Sequence, residues 1–160
     1  MEQLIDEARN DVWVAGINLA TMASLVGTFE TKLKQGCNIR FLALAPDGDA
    51  LQAMAKSYGT DPDLAATRIK ANLITLASRL ESTEKSPVEI RVLDSVISTG
   101  YFITDPNSPK GQMIVQSYLY KTESDEAPLF ELSKADDAQW FSTYMRQFEK
   151  AWEDARVFKK

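Results

Sequence analysis

The chain has 160 residues, of which 44% are hydrophobic and 26% are charged, a composition typical of one globular domain with a substantial core. Its 18 basic and 23 acidic side chains give a net charge of −5, which disfavours direct DNA binding because that needs a basic surface. The sequence has no histidine, which excludes Ser-His-Asp hydrolases, Cys-His proteases and His-ligated zinc.

The compartment is predicted from cysteine use and hydropathy. Cys37 is the single cysteine, so it cannot form an internal disulfide, and the apolar run after it predicts a core or strand-edge residue. No stretch approaches the ~20 apolar residues of a membrane span, and residues 1–7 are too acidic for a signal peptide. We therefore expect a cytoplasmic protein without a membrane segment, and we predict no cofactor.

The first part of the chain predicts a strand–helix–strand unit. Residues 1–10 are predicted to form a leading helix or a linker, and residues 11–158 to form the α/β domain. The β-branched run at 12–17 is typical of a strand buried on both faces. A helix with an apolar face follows and ends near Gly36, and residues 38–44 form a second buried strand. This order implies two parallel strands joined by a right-handed crossover.

The rest of the chain predicts two helices, four strands and a long amphipathic helix at the end. Asp61 followed by Pro62 favours a helix start, and strict alternation at 88–93 favours a half-buried strand. We predict an α/β domain with a mixed parallel and antiparallel sheet of about six strands flanked by helices. The predicted helices cover 50–58 and 61–80, and the further strands cover 88–93, 101–103, 113–115 and 128–132.

The terminal helix carries an aromatic stripe. Trp140, Tyr144, Phe148 and Trp152 repeat at intervals of four residues, so they share one helix face. Such a stripe forms either part of the core or a dimer surface, and spacing alone does not distinguish the two.

The element order resembles one copy of the phospholipase D-like fold over about residues 5–158. The similarity rests on the segments VWVAGINL, GCNIRFLALAPDG and WFSTYMRQFEKAWEDA, and it is greater for the non-catalytic branch that accompanies other modules in bacterial proteins. Enzymes of this family carry His-x-Lys-(x)4-Asp, whose histidine attacks phosphorus and whose lysine holds phosphate oxygens. If Asp105 matches the motif aspartate, Ser98 replaces the histidine and Gly100 replaces the lysine. The resemblance thus implies the fold and argues against the reaction, because serine lacks an activating histidine and glycine lacks charge.

A ligand-binding site is predicted near one end of the sheet. Asn18 follows the first strand, where open α/β sheets expose their ligand crevice. A cap of the next helix is the simpler explanation of this residue, and the two roles are compatible. Free N–H groups at that helix start would suit an anion. The strands at 101–103 and 113–115 flank a predicted hairpin loop at 105–111. The resemblance implies that polar residues of this hairpin lie at the same end. The predicted ligand-binding residues are Asn18, Ser98, Thr99, Asp105, Gln116, Ser117 and Tyr118.

Other charged residues have simpler explanations beside the functional ones. Arg40, Arg91 and Lys110 are candidate cations for the site, although the two arginines could instead face solvent or pair with Glu89. Paired aspartates at turns and helix starts could hold a metal, but capping of backbone N–H groups explains them as well.

Two functions follow as expectations. The first is a non-catalytic sensory domain that binds a small phosphorylated or nucleotide-like ligand and regulates an attached or partner module in a bacterial regulatory or defence protein. The resemblance also implies a homodimer, because single-copy members of the fold commonly pair to complete one cleft. The alternative is a homodimerisation or protein-interaction module with a vestigial pocket. A metal-dependent phosphodiesterase that uses carboxylates is a third possibility.

Overall fold

A computed structural model describes residues 1–122 and 126–160 of the chain. These residues form the predicted α/β domain, with seven strands in one mixed sheet. The strands are β1 (Asp11–Gly16), β2 (Asn38–Leu44), β3 (Val88–Leu93), β4 (Thr99–Thr104), β5 (Gln112–Ser117), β6 (Leu129–Ser133) and β7 (Arg156–Val157). The helices are α1 (Glu2–Glu7), α2 (Ala20–Ser24), α3 (Val26–Lys34), α4 (Ala50–Tyr58), α5 (Pro62–Arg79) and α6 (Ala138–Asp154).

The sheet has a parallel half and an antiparallel half that meet at β1. The strand order is β6-β5-β4-β1-β2-β3-β7. β1, β2 and β3 are parallel, whereas β4 pairs antiparallel with the other side of β1 and continues into the antiparallel strands β5 and β6. One end of the sheet therefore carries the carboxyl ends of β1, β2, β3 and β5 and the amino ends of β4 and β6.

Alternation along β1 divides the core between the two faces of the sheet. Val12 and Val14 pack with helices α1 to α5, whereas Trp13 and Ala15 pack with α6. The apolar run predicted for this strand is buried on both faces because helices cover both. The largest side chains of the first core include Ile5, Phe29, Phe41, Ile69, Leu73 and Leu76. Those of the second include Trp13, Ile103, Phe141, Phe148 and Trp152.

Three local features differ from or refine the predictions. The predicted helix before Gly36 is two helices, α2 and α3, which are separated at Leu25. The leading segment forms helix α1, and its Ile5 is completely buried. β7 was not predicted, because its two residues are too few to show a period.

In the described part of the chain, no helix has both the length and the apolar character that a membrane crossing requires.

Candidate ligand-binding site

A pocket opens on the α1–α5 side of the sheet, at the edge where β1 and β2 end and β4 begins. Its volume is about 340 Å³, which is within the ~300–1,000 Å³ range of small-molecule sites. Residues from α2, α4 and α5 line it above the sheet. The position follows from the topology. β1 has a parallel neighbour, β2, on one side and an antiparallel neighbour, β4, on the other. The chain segments that leave β1 and β2 and the segment that enters β4 therefore meet at this end of the sheet, and a crevice lies between them.

Part of the pocket wall is apolar and buried. It is formed by side chains from both the helices and the sheet, each of which is at most 6% exposed. These side chains are Met22, Leu51, Met54, Ile69, Phe102 and Ile114. All six belong to the core on this side of the sheet, so that core continues into the pocket.

Tyr118 forms the polar part of the pocket on the sheet side. Its hydroxyl lies so close to Gly100 that a Cβ atom there would be 2.5 Å from the phenol oxygen, and a Cβ on Gly16 would be 3.1 Å away. Tyr58 packs edge-on against the Tyr118 ring, with 6.3 Å between centroids. Burial raises the pKa of Tyr118 to about 12, although a hydrogen bond with the Ile17 backbone acts in the opposite direction. The phenol is therefore neutral at pH 7.

Substitution of Gly100 by alanine is expected to destabilise the protein by about 1–3 kcal/mol, because the new methyl group overlaps the Tyr118 hydroxyl. Urea unfolding followed by circular dichroism measures the effect. Gly27→Ala is the matched control, since a Cβ at this helical glycine meets nothing within 4 Å and alanine favours helix. Equal stability of the two variants would mean that Tyr118 moves aside freely.

Two cations lie at the pocket wall. Arg68 extends from α5, and Lys121 follows β5, where its backbone N–H donates to the Ser57 carbonyl at 3.0 Å. Neither side chain has a carboxylate partner within the described part of the chain. No acidic side chain of residues 1–122 and 126–160 lines this pocket. The described residues of the wall thus combine buried apolar side chains with two exposed cations.

Asn18 bonds the start of α2 and also lies at the candidate pocket. Its Oδ1 accepts a hydrogen bond from the Ala20 N–H at 3.0 Å, at the start of α2, and the residue also lines the pocket. Its backbone carbonyl accepts from Asn72 Nδ2 at 2.8 Å, which ties α5 to the end of β1. α2 spans a single turn, from Ala20 to Ser24, and the Asn18 amide already occupies its first N–H.

The hairpin residues divide between the two faces of the sheet. Gln116 and Tyr118 line the pocket together with Asn18. Ser117 pairs with Thr99 across β4 and β5, and alternation turns both side chains towards the opposite face. Ser98 is exposed just before β4, and its carbonyl accepts the Tyr118 N–H at 3.0 Å.

The expectation that Asp105 lies beside these residues is wrong. β4 begins at the pocket and runs away from it, so Asp105 follows its far end, roughly 20 Å away at ~3.3 Å per residue. There the carboxylate accepts backbone N–H groups of Arg9, Asn10 and Asp11 at 2.9, 2.7 and 3.0 Å. Asp105 therefore holds the connection between α1 and β1.

The cations predicted for the site also lie elsewhere. Arg40 and Arg91 both pair with Glu89, at 3.8 and 3.3 Å, on the α6 side of the sheet. The Arg91 guanidinium lies over the Trp152 ring at 4.6 Å from its centroid. Lys110 belongs to the loop after Asp105, at the edge opposite the pocket. The simpler explanation of the two arginines, pairing with Glu89, is confirmed.

Sequence reasoning missed Arg68 and Lys121, which are the cations of the pocket. Arg68 precedes buried Ile69 on α5, so its position at the margin of the apolar stripe was the available signal. Lys121 follows a strand in a polar segment, where nothing distinguishes it from a solvated lysine. Among the residues described, no group of three or more cysteine and acidic side chains is arranged to hold a metal ion.

Comparison with known proteins identifies a family and a fold. No curated protein sequence matches the chain significantly. The fold is similar to that of TrmBL2, an archaeal chromatin protein with a novel mode of DNA binding, at 14% identity and a TM-score of 0.55. That match covers 98% of this chain but 48% of TrmBL2, so the chain spans about half the length of this neighbour. A family profile matches residues 1–159, and the chain therefore belongs to the family described as "Domain of unknown function (DUF5919)".

Proposed function

We propose that this domain binds a small anionic ligand, of the phosphorylated or nucleotide-like class, and thereby regulates an attached or partner module without catalysing a reaction. The observation that carries the proposal is the pocket wall, where Arg68 and Lys121 stand without a described carboxylate in a chain of net charge −5. Such a chain repels anions in general, so a locally positive cavity favours them at one place.

A binding role fits the polar groups of the pocket better than a catalytic role. Tyr118 keeps its proton at neutral pH because burial raises its pKa to about 12, so it donates hydrogen bonds and is a poor general base. Ser98, at the position that the resemblance assigns to the histidine nucleophile, is exposed and outside the pocket wall. A ligand held here would meet apolar contacts and two cations.

The DNA binding named for TrmBL2 does not transfer to this chain as direct contact. The net charge of −5 is unfavourable for phosphate contacts, and the likeness covers 48% of that neighbour. We propose instead that ligand occupancy is reported to a separate module, as the resemblance to accompanying phospholipase D-like domains implies.

Homodimerisation is the second candidate, and a specific surface favours it. β6 forms one edge of the sheet, and its Leu129 and Phe130 are exposed. Trp140, at the start of α6, is exposed as well. Exposed apolar residues beside an unpaired strand edge are typical of protein–protein contacts.

Native mass spectrometry of the purified protein tests both candidates. A co-purified small mass supports ligand binding, whereas a dimer without a bound mass supports the second candidate. Calorimetric titration with nucleotides and sugar phosphates then measures affinity. Ala55→Phe is expected to reduce binding at least about tenfold, because Ala55 is buried in the pocket wall and the larger side chain fills the cavity.

Ala53→Phe is the matched control for that experiment. Ala53 is exposed on the same helix, so the same substitution leaves the pocket open. Thermal unfolding of both variants separates a filled pocket from a damaged fold. Binding that Ala55→Phe leaves unchanged would contradict the pocket assignment.

A further inference from the structure

We infer that the ligand is an organic anion with an apolar body, an aryl or branched alkyl chain that carries a single carboxylate or phosphate. The inference rests on the proposed binding of an anion, and it extends the ligand class from phosphorylated molecules to aryl and alkyl carboxylates. Its basis is a pocket wall that holds buried apolar side chains together with two exposed cations.

The interior accepts an apolar group and penalises a polar one. Met22, Met54 and Phe102 are buried around the cavity, and none of these side chains donates a conventional hydrogen bond. A sugar hydroxyl placed among these three side chains, away from Tyr118, Asn18 and Gln116, would lose its hydrogen bonds to water without replacement. Thioethers and aromatic edges also make favourable contacts with a ring, which favours an aryl body.

Among its described residues, the pocket lacks the free backbone N–H groups that would bind a polyphosphate. Phosphate chains are held by backbone N–H groups in glycine-rich loops at helix starts. At this edge the Tyr118 hydroxyl lies over Gly16 and Gly100, close enough that neither glycine could accept a Cβ without contact. Asn18 already bonds the first N–H of α2.

The two cations of the pocket wall favour a negatively charged ligand, but they do not distinguish a carboxylate from a phosphate. Arg68 and Lys121 are exposed and belong to different segments of the pocket wall, and the Lys121 ammonium lies 5.4 Å from the centroid of the Tyr120 ring. We propose that both cations contribute to binding of the anion. Exposed ion pairs contribute modestly, which makes the apolar body the main source of affinity. A volume near 340 Å³ lies at the small end of ligand sites and limits the body to about one ring or a short chain.

Calorimetric titration of the full chain with four probes tests the inference. The probes are 4-phenylbutyrate, its neutral amide 4-phenylbutyramide, adenosine monophosphate and glucose 6-phosphate. We expect 4-phenylbutyrate to bind about tenfold tighter than the amide, since two exposed ion pairs contribute a few-fold each. We expect a similar advantage over the two phosphates, because their sugar hydroxyls would lose hydrogen bonds to water beside the apolar side chains. The double variant Arg68→Gln with Lys121→Gln is expected to abolish the advantage over the amide.

The double variant Lys56→Gln with Lys70→Gln is the charge-matched control. Both lysines are exposed on α4 and α5 and outside the pocket wall, so the advantage is expected to persist. Tighter binding of adenosine monophosphate or glucose 6-phosphate, blocked by Ala55→Phe, would overturn this inference while the proposed function stands. Equal affinity for acid and amide would overturn the role of charge. Absence of binding by all four probes would contradict both.

Discussion

Trp152→Ala is expected to destabilise the protein by roughly 3–5 kcal/mol, the usual cost of removing a large buried aromatic side chain. Trp152 is 7% exposed and stacks on Phe148, with 5.9 Å between ring centroids. The guanidinium groups of Arg40 and Arg91 lie 5.3 and 4.6 Å from the centroid of the indole ring. Alanine would leave a cavity and remove both cation–π contacts.

Urea unfolding followed by circular dichroism measures this loss, and sedimentation reads the oligomeric state in parallel. Trp140→Ala is the control on the same helix, because Trp140 is 59% exposed and its removal is expected to change stability by about 0.5 kcal/mol or less. If Trp152→Ala instead released folded monomers from a dimer at unchanged stability, the core position of Trp152 would be contradicted.

Asp105→Ala is expected to destabilise the protein by roughly 3 kcal/mol. Three backbone N–H groups, from Arg9, Asn10 and Asp11, lose a charged acceptor. Asp105 also has a φ of 46°, a left-handed conformation that aspartate and asparagine tolerate better than alanine does. Both effects act on the same connection between α1 and β1.

Hydrogen exchange at residues 9–11 reports this loss directly, because those amides are expected to exchange faster in Asp105→Ala. Asp105→Asn is the conservative control, and it is expected to recover part of the stability since it keeps one acceptor oxygen and the tolerated φ. Binding of 4-phenylbutyrate is expected to be unchanged in Asp105→Asn, because the carboxylate lies at the edge opposite the pocket. If Asp105→Asn lost the binding of 4-phenylbutyrate, Asp105 would belong to the ligand site after all.

Most of the fold was predictable because its elements follow simple periods. Alternation at Val88–Leu93 and the helix start at Asp61 predicted β3 and α5 closely, and the Asp61 side chain accepts the Leu64 N–H at 3.0 Å. The break at Leu25 was not predictable from period, because the apolar stripe continues through it. Packing of α2 and α3 against different neighbours decides it.

The site was predictable in part, and its errors have a geometric cause. Residues 98–100 lie at the same end of the sheet as the pocket because β4 begins there, and Gly100 lines it, but Asp105 lies one strand length away. Alternation alone could have placed Ser117 on one face of the sheet and Gln116 and Tyr118 on the other, since neighbouring strand residues face opposite sides. Which side carries the pocket depends on helix placement, a tertiary property.

The central position of β1 has a consequence for synthesis of the chain on the ribosome. β1 spans Asp11–Gly16, and one of its two neighbours, β4, ends about ninety residues later at Thr104. Until that strand emerges, one long edge of an apolar strand has no partner, and pairing so distant in sequence is slow. An incomplete nascent chain of this kind is prone to aggregate at its open edge. When translation is slow, the chain therefore depends most on chaperones before residue 104 has been synthesised.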